Sequence, residues 1–500
     1  MSVHSVMYPL LRASKLFPGR QVVGFDGRVG YGEMVERVYR VAGFLRDKGV
    51  GRGDVVAVLD VNSVRFMEIA YAVGLLEAVF MPVNFRLPPV TIAEIVSEVR
   101  PKALFYSEPF KGLADGLDVG FKFELEKYGE ILSGGSVYRV ESVDPEAPYA
   151  LLYTSGTTGK PKAVLYSQRK MVSGALSIVH QLSLYDTPAK LGSGDVMLSL
   201  IPVFHILSWG SIFIAPFVGA KLVFVPKMDP EYLAGVIKRE GVTWMNGVPT
   251  MIYMLLESGE RFDGLKALIG GSTVPISLVE KMKKAGMVYS TIYGATDMLA
   301  TSISIVTDHT SADEARLVSH PVPYAEVKIV KEDGSLAAPG ELGEIWYRSP
   351  WMPDGYYNNP EKTRESFVGG WFRTGDLGEP TVDGGLKVLD RVKDAIKSGG
   401  EWIPSSVLES IASEVEGVKM VAAVPVKHEK WGERPVLVYV GDVDEEPIRK
   451  HFMEAVEEGR IAKFWIPDKF LRVEELPLTS TGKIHKMQIR ELVKKMLGIE

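Results

Sequence analysis

The chain has 500 residues, which is too long for one hydrophobic core, so two or more domains are expected. Its net charge of −6 leaves no basic footprint and argues against nucleic acid as a partner. The complete lack of cysteine excludes disulfides, thiolate metal sites and a cysteine nucleophile. The N-terminus has no apolar segment followed by a small-residue cleavage site, so we expect a cytoplasmic protein.

Helical and strand-like patterns alternate along most of the chain. The first helix, over residues 31–50, places Met34, Val38 and Leu45 on one face. The patterns that follow are a strand over 54–60, a helix over 63–79, strands over 220–226, 242–247, 265–271 and 288–294, and helices over 231–240, 249–258 and 277–286. Alternation of this kind is typical of parallel sheets covered on both faces, so we predict an α/β fold.

The stretch YTSGTTGKPKAV, residues 153–164, lies between two predicted strands, 149–153 and 163–167. Ordering glycine costs more backbone entropy than ordering any other residue, so a loop of this composition must make compensating interactions. Its hydroxyls, backbone N–H groups and lysines are expected to form an anion cradle, for which a polyphosphate is the expected ligand. The stretch is not a Walker A loop, because only two residues separate its glycines and Pro161 prevents a helix from starting at Lys160.

Residues 196–220 contain no Asp, Glu, Lys or Arg. A segment of this length could span a bilayer. However, Pro202, His205 and Pro216 interrupt it, and basic flanks are lacking. We therefore predict a buried apolar wall of a large enzyme rather than a transmembrane helix.

The pattern changes near residue 391. The segment 325–391 is rich in β patterns and turns. Beyond it, helical patterns at 406–415 and 446–458, three short β runs and a terminal amphipathic helix indicate a small α+β unit. We predict two domains, an N-terminal one over residues 1–391 and a C-terminal one over residues 392–500.

Further motifs give the sequence a family resemblance. They are IGGSTVP (269–275), YGATD (293–297), GGWFRTGDLG (369–378), LDRVKDAIKSGGEWI (389–403) and PLTSTGKIHK (477–486). With the 153–164 stretch they resemble the adenylate-forming (ANL) superfamily over about residues 20–490. PVFHILSW (202–209), KWGERP (430–435) and WIPDKF (465–470) resemble its medium- and long-chain fatty-acyl-CoA synthetase branch. The resemblance implies a large N-terminal domain of βα-type sheets with a β-rich subdomain, followed by a small mobile α+β domain.

The same resemblance implies an ATP-dependent ligase that uses Mg²⁺ and coenzyme A. A carboxylate attacks the α-phosphate of ATP to give acyl-AMP and pyrophosphate, and the CoA thiol then attacks the mixed anhydride. Tyr293 would stack on adenine, Asp376 would accept from the ribose hydroxyls, and Arg391 would contact ribose or phosphate. The residues implied for ATP and AMP binding are Thr154, Ser155, Gly156, Thr157, Thr158, Gly159, Lys160, Gly271, Ser272, Thr273, Tyr293, Gly294, Asp376 and Arg391.

Catalytic roles also follow from the resemblance. Thr296 would donate to a phosphate or carboxyl oxygen, and Lys483 would be the catalytic lysine. Asp297 is a hard oxygen ligand suited to Mg²⁺, although the family has the longer Glu at this position. Asp is shorter by roughly 1.5 Å of reach, and a bridging water would restore the contact.

The C-terminal domain is implied to rotate between two poses. Lys393 matches the hinge about which it turns. The surface for the CoA half-reaction would contain Gly399, Gly400 and Trp402, where the glycines leave room for the pantetheine arm.

The acyl pocket is assigned to the uncharged segment and to a glycine pair. His205 would orient the carboxyl group and Trp209 would close or open an apolar tunnel, beside Gly270 and Gly271. Because segment 196–220 lacks the acidic group that an amino-acid substrate would need, we expect a neutral, apolar carboxylic acid. Three alternatives stay open: a CoA ligase for an aryl or short branched acid, a non-catalytic nucleotide-binding relative, and a luciferase-like monooxygenase.

Beyond the small-molecule substrates, the partners that we predict are a second copy of the chain, in a homodimer, and the surface of a membrane. The chain has only four Gln and five Asn beside abundant Glu, Lys and Arg. Scarcity of thermolabile side chains predicts a thermophilic source.

Overall fold

The computed structural model describes residues 2–154, 161–299, 301–311, 317–478 and 484–498. The described residues form three sheets together with the helices that connect their strands. A large N-terminal part holds two of the sheets and a small C-terminal part holds the third. This mixed architecture confirms the predicted α/β fold class.

The N-terminal third contains the six-stranded sheet. In chain order, the elements of this part are α1 (Met7–Leu16), β1 (Gln21–Gly24), β2 (Gly27–Gly30), α2 (Tyr31–Asp47), β3 (Val55–Leu59), α3 (Val64–Leu75), β4 (Val79–Pro82), α4 (Pro89–Val99), β5 (Ala103–Tyr106), α5 (Lys111–Asp115), β6 (Phe121–Glu124), α6 (Tyr128–Ser133), β7 (Pro148–Tyr153), β8 (Ala163–Ser167) and α7 (Gln168–Leu184). The strands of the six-stranded sheet are β3 to β8. The strand order is β6-β5-β3-β4-β7-β8, and β8 runs antiparallel to β7. The predicted strands on either side of the 153–164 stretch are therefore confirmed.

One predicted helix, over residues 63–79, is too long. The helix α3 ends at Leu75, Glu77 takes a left-handed φ of 52°, and Val79 begins β4. The strand β4 is buried along its whole length and pairs with β3 and β7. Sheet pairing in the buried core thus overrides the local helical pattern.

The middle of the chain forms a parallel sheet. Its elements are β9 (Val196–Ser199), α8 (Ile206–Trp209), α9 (Ser211–Val218), β10 (Lys221–Phe224), α10 (Pro230–Glu240), β11 (Trp244–Gly247), α11 (Pro249–Leu256), β12 (Lys266–Gly270), α12 (Ile276–Lys284) and β13 (Val288–Tyr293). The strands lie in the order β13-β12-β11-β9-β10-β1, all parallel, with β2 antiparallel at the edge. This arrangement confirms the predicted strand–helix alternation.

The uncharged segment 196–220 supplies β9, α8 and α9 of this sheet region. Most of its described side chains are buried, so it forms the predicted apolar wall. Within the described ranges, every helix is too short or too polar to cross a bilayer.

The β-rich region extends the same sheet with antiparallel strands. Its elements are β14 (Ser302–Ile303), β15 (Val318–Pro321), β16 (Glu326–Val330), β17 (Gly343–Arg348), α13 (Pro360–Ser366), β18 (Phe367–Val368), β19 (Trp371–Pro380) and β20 (Leu386–Arg391). Strands β14 and β15 connect β13 to β20, which gives a sheet of fourteen strands. The sheet therefore carries residues near 376 and 391 toward the carboxyl end of β13.

The C-terminal part has its own sheet and core. Its elements are β21 (Ile396–Ser398), β22 (Glu401–Ile403), α14 (Ser405–Ser413), β23 (Val418–His428), β24 (Gly432–Gly441), α15 (Glu445–Glu457), β25 (Lys469–Arg472) and α16 (Lys486–Leu497). The sheet order is β22-β21-β24-β23, with β25 also paired to β24. Its buried apolar clusters use described residues from 396 onward, whereas the other clusters use residues up to 388.

Candidate active site

A cavity of about 720 Å³ lies where the two large sheets meet the segment that leads to the C-terminal part. The residues predicted for the site that line it are Thr154, His205, Trp209, Gly271, Gly294, Thr296, Asp297, Arg391 and Lys393. They come from five separate stretches of the chain. The cavity therefore brings together residues that the sequence could connect only through a resemblance.

Parallel strands explain part of this convergence. Strands β12 and β13 are parallel neighbours, so the loops that follow Gly270 and Tyr293 open at the same sheet edge. The second loop, residues 294–297, is held by the Tyr166 hydroxyl, which donates to the Thr296 carbonyl oxygen at 2.6 Å. In contrast, Ser272 and Thr273 follow β12 but do not line the cavity.

Asp376 is the centre of a hydrogen-bonded charge cluster beside the cavity. It lies directly opposite Arg391 in the antiparallel pair β19–β20, and Arg391 Nε is 2.8 Å from Asp376 Oδ1. The Tyr293 hydroxyl donates to Asp376 Oδ2 at 2.5 Å. Asp376 raises the pKa of Arg391, so this buried carboxylate has a partner that stays charged. The roles of these three residues toward a nucleotide stay predictions.

Asp297 has a different environment. Its Oδ2 accepts from the Tyr356 hydroxyl at 3.3 Å, whereas its buried Oδ1 forms no hydrogen bond to any described residue. Burial raises the pKa of Asp297 to about 6, although Lys162 and Tyr356 act in the opposite direction. A buried carboxylate oxygen without a donor is suited to a cation.

Mg²⁺ fits this position only with help from a phosphate. No group of three or more His, Asp or Glu side chains is arranged to hold a metal among the residues that the structure describes. Mg²⁺ typically binds through one or two carboxylates, with the remaining ligands from phosphates and water. Asp297 would therefore hold the ion directly or through water, and the substrate would supply the other oxygens.

Lys162 was seen in the sequence only as a charge of the phosphate loop, but it lines the cavity. Its backbone N–H donates to Thr154 Oγ1 at 3.1 Å, and the Thr154 N–H donates to the Lys162 carbonyl oxygen at 2.7 Å. These bonds join the two ends of the predicted phosphate loop. Its Nζ lies 4.5 Å from the centre of the Tyr356 ring, and burial lowers the pKa of Lys162. Tyr356 itself carried no local signal in the sequence.

Several predicted residues lie outside the described residues. They are Ser155, Gly156, Thr157, Thr158, Gly159, Lys160 and Lys483. Their assignments stay predictions. Charged residues that line the cavity and were not selected from the sequence are Arg86, Glu344, Lys362, Glu365 and Arg373.

Part of the cavity lining is apolar. It includes Ile178, Ile201, Ile206, Trp209, Val248, Met251 and Leu299. A Cβ atom added to Gly270 would lie 3.0 Å from the Trp209 ring and 2.6 Å from the Ile292 carbonyl oxygen. Gly270 is therefore required by the close approach of Ile292 in β13, and a larger residue would also crowd the Trp209 ring. The roles of Gly270 and Trp209 in an acyl pocket stay predictions.

The turn that carries Trp209 has an unusual backbone. Three of its residues lie in the left-handed region, which is unfavourable for any residue with a Cβ atom. The φ values are 43° for Ile206, 62° for Ser208 and 54° for Trp209. Buried amide groups hold this turn. Asn246 Nδ2 donates to the Ser208 carbonyl oxygen at 3.2 Å, and Asn62 Nδ2 donates to the Ile201 carbonyl oxygen at 2.8 Å.

The residues predicted for CoA lie away from the cavity in this structure. Gly399 and Gly400 form the two-residue turn of the β21–β22 hairpin, with φ values of 62° and 91°. Both positions need glycine for the turn itself, independently of any ligand. Trp402 follows in β22, where Lys397 Nζ lies 5.1 Å from the centre of its ring.

Comparisons with known proteins give this geometry a context. The sequence model described as AMP-binding enzyme matches residues 10–357, and the one described as AMP-binding enzyme C-terminal domain matches residues 407–483. The chain is 36% identical to a long-chain-fatty-acid–CoA ligase of Thermus thermophilus, covering 98% of this chain and 95% of that protein. It is 31% identical to an indoleacetate–CoA ligase of Aromatoleum aromaticum, covering 98% of each.

A solved structure shares the whole fold. It is an O-succinylbenzoate coenzyme A synthetase from Bacillus subtilis, in complex with ATP and magnesium ion. The match has a TM-score of 0.82 and 26% identity, and it covers 96% of this chain and 99% of that one.

Proposed function

We propose that this chain, which belongs to the AMP-binding enzyme family, is an AMP-forming acid–thiol ligase for medium- or long-chain fatty acids. ATP, Mg²⁺ and coenzyme A are its co-substrates and cofactor. The observation that carries the proposal is that one cavity is lined by Arg391, by Asp297 and by a set of apolar side chains. Arg391 is paired with Asp376 beside the cavity, and Asp297 Oδ1 accepts no hydrogen bond from any described residue. A site of this kind accommodates a nucleotide, a cation and an acyl chain together.

The first half-reaction forms acyl-AMP. The acid carboxylate attacks the α-phosphorus of ATP, the new C–O–P bond forms, and pyrophosphate leaves. Thr296, His205 and Lys483 would orient and neutralise the two anions as charge develops. Mg²⁺ bound beside Asp297 would offset phosphate charge.

The second half-reaction forms the thioester. The CoA sulfur attacks the acyl carbon, AMP leaves, and the thiol proton is released. We propose that the C-terminal domain turns about Lys393 between the two steps. The turn removes Lys483 from the active site and brings in the surface that contains Gly399, Gly400 and Trp402.

A second candidate substrate class is an aryl acid. The indoleacetate–CoA ligase is similar over nearly the whole chain, and the apolar part of the cavity lining has no charge that would reject an aromatic ring. The higher identity to the long-chain-fatty-acid–CoA ligase, 36% against 31%, supports the fatty acid as the first choice.

The test is pyrophosphate release with saturated acids of graded length, from acetate to stearate, and with indoleacetate and benzoate. We expect the highest kcat/KM with an acid of eight carbons or more. The variant Lys483→Ala should lose acyl-AMP formation by about a hundredfold or more but retain CoA transfer from supplied acyl-AMP. Lack of pyrophosphate release with every acid would reject the ligase assignment.

We further propose a cytoplasmic enzyme from a thermophilic source that works as a homodimer and contacts a membrane peripherally. An apolar substrate that resides in lipid supports the membrane contact. Sedimentation of the purified protein and flotation with anionic vesicles test the last two points. Sedimentation as a monomer would contradict the dimer, and failure to float would contradict the contact.

A further inference from the structure

The segment that joins the two domains carries polar contacts that cross the predicted hinge. Before the hinge, Asp390 and Leu389 belong to β20, which is fixed by its pairing with β19 and β15. After the hinge, Ser405 and Ser406 begin α14. Contacts between these two pairs of residues therefore depend on how the C-terminal domain is oriented.

Asp390 caps the N-terminus of α14 from across the hinge. Its Oδ2 accepts from the Ser405 backbone N–H and from the Ser405 hydroxyl, both at 2.5 Å, and Ser405 is fully buried. The N-cap residue of α14, Pro404, provides no side-chain cap. The Ser406 hydroxyl also donates to the Leu389 carbonyl oxygen. A carboxylate at a helix N-terminus gains both charge-assisted hydrogen bonds and a favourable helix dipole.

Contacts on the C-terminal side of the hinge extend this cap toward Lys483. Lys486, the first residue of α16, donates to the Ser405 hydroxyl and lies 2.7 Å from Glu409. Arg490, one turn later, donates to the Lys393 carbonyl oxygen at 2.7 Å and to Asp394 at 2.9 Å. Lys486 lies only three residues after Lys483. The Asp390–Ser405 contact is thus connected to the start of the helix that follows the predicted catalytic lysine.

The observed orientation keeps the hairpin with Gly399 and Gly400 off the cavity. Among the described residues that line the cavity, Val392 and Lys393 are present, but none belongs to β21 or β22. Under the proposed function, this orientation corresponds to the first half-reaction, before the CoA surface reaches the site.

We propose that Asp390 is a positioning residue for acyl-AMP formation, because its bonds to Ser405 hold the C-terminal domain in the observed orientation. Rotation about Lys393 breaks these bonds and leaves the N-terminus of α14 without its carboxylate. The inference rests on the proposed two-step function. Asp390 acts on the orientation of the domain and not on the reacting atoms.

The experiment measures each half-reaction separately in Asp390→Ala and Ser405→Ala. ATP–pyrophosphate exchange reports the first half-reaction, and thioester formation from supplied acyl-AMP and CoA reports the second. We expect both variants to slow the first about tenfold and to leave the second at or above the wild-type rate. Asp390 adjoins Arg391 in sequence, so Ser405→Ala, which lies across the hinge, provides the independent variant.

The matched control is Glu332→Gln. Lys397 and Glu332 also form an ion pair across the hinge, at 2.6 Å, but both side chains are substantially exposed, and exposed pairs contribute little. We expect this variant to change neither half-reaction more than twofold. Equal slowing of both half-reactions by Asp390→Ala and Ser405→Ala, or no change in either, would overturn the proposal.

A distance measurement separates this proposal from the proposed function. Because the chain has no cysteine, Leu184→Cys and Lys450→Cys, at two exposed positions, accept a donor and an acceptor dye without side reactions. We expect one main interdomain distance without substrate and a shifted or broadened distribution when Ser405→Ala is added. If the protein turned over no acid but Ser405→Ala still shifted the distance distribution, the ligase assignment would be rejected. The role of the Asp390–Ser405 contact in holding the domain orientation would remain. An unchanged distribution would reject the positioning role.

Discussion

Two charged residues of the cavity, Arg391 and Asp297, are neutralised to different extents. Arg391 has Asp376 as a partner at 2.8 Å, so its charge is balanced within the protein. Asp297 has one oxygen without a donor, and burial raises its pKa to about 6. The protein thus leaves one negative position that a cation or a proton must complete, which is typical of functional rather than structural carboxylates.

We predict that Asp297→Asn separates stability from activity. A pKa raised by burial means that the charged form is disfavoured in the folded state, so this group costs stability as the pH rises through about 6. At pH 8 the variant should be more stable, by about 1–2 kcal/mol in the free energy of unfolding. Its acyl-AMP formation should fall about tenfold and require more Mg²⁺. Denaturant unfolding and a magnesium titration measure the two effects.

The matched variant for this position is Asp297→Glu, which keeps the charge and restores the residue that the family has. We expect it to retain activity or exceed that of the wild type. If Asp297→Asn kept the wild-type requirement for Mg²⁺, the metal role of this carboxylate would be wrong.

Trp209 gives a prediction about substrate length. Its indole lines the cavity and packs against Gly270, and its backbone lies in the left-handed region. Trp209→Ala opens space there, so we expect the acyl-length optimum to move while the KM for ATP changes less than threefold. Pyrophosphate release across the graded acids measures both. An unaltered preference for acyl length would mean that Trp209 is an ordinary residue of the hydrophobic core. The control variant is Ile178→Ala, at another position that lines the cavity.

At the scale of elements, the β21–β22 hairpin is a place where a turn requirement coincides with a predicted functional requirement. Gly399 and Gly400 take positive φ values, and Ser398 pairs with Glu401 on either side of them. A two-residue hairpin of this kind favours glycine because both central residues have positive φ. The family resemblance predicts that the pair makes room for CoA. The turn is an additional reason for glycine at these two positions.

We predict that Gly400→Ala affects only the second half-reaction. Its φ is 91° and open space surrounds the position of an added Cβ, so backbone strain is the only direct cost, about 1–2 kcal/mol in the free energy of unfolding. CoA transfer should slow severalfold while acyl-AMP formation stays unchanged. The control is Gly384→Ala in the β19–β20 turn, which has a φ of 80° and is equally open.

Gly384→Ala should lose similar stability and keep both half-reactions. If the two variants slowed CoA transfer equally, the hairpin would have no specific role in that step. Thermal unfolding and the two half-reaction assays measure these outcomes.

Local patterns in the sequence were enough for the main elements. Met34, Val38 and Leu45 were placed on one helical face, and all three are buried in α2. The predicted helix over 63–79 failed at its end because the pairing of β4 depends on strands distant in the chain. The β21–β22 hairpin was missed, because strands of three residues carry too little periodicity to detect.

The site was less accessible to sequence analysis than the fold. The pairing of Asp376 with Arg391 depends on the register of β19 and β20, which no local pattern encodes. Tyr356 reaches Asp297 across 59 positions of sequence, and its own surroundings carry no motif. Only the resemblance to a family linked such distant residues in advance, and it did so only for positions that fall within family motifs.

At the scale of the whole molecule, a buried acid that does not line the cavity affects how stability depends on pH. Glu68 in α3 is fully buried, its Oε1 lies 2.8 Å from Arg37 Nε, and its Oε2 accepts from the Tyr128 hydroxyl at 2.7 Å. The Glu68 carboxylate thus connects α3 to α2 and to the N-terminal residue of α6. Burial raises the pKa of Glu68 to about 7, and the nearby Asp26 adds to this, whereas Arg37 and Tyr128 act in the opposite direction.

The last prediction concerns Glu68→Gln. Because the folded-state pKa is raised above the unfolded value, the contribution of Glu68 to stability is complete below about pH 4.5 and is lost as the pH rises through about 7. Between pH 5 and pH 8 the wild type should therefore lose about 2 kcal/mol more unfolding free energy than Glu68→Gln, whose side chain cannot ionise. Urea unfolding of both proteins at the two pH values measures this difference, in which contributions from other titrating groups cancel. A wild type whose stability changed no more steeply than that of the variant would show that Arg37 keeps Glu68 ionised throughout this range.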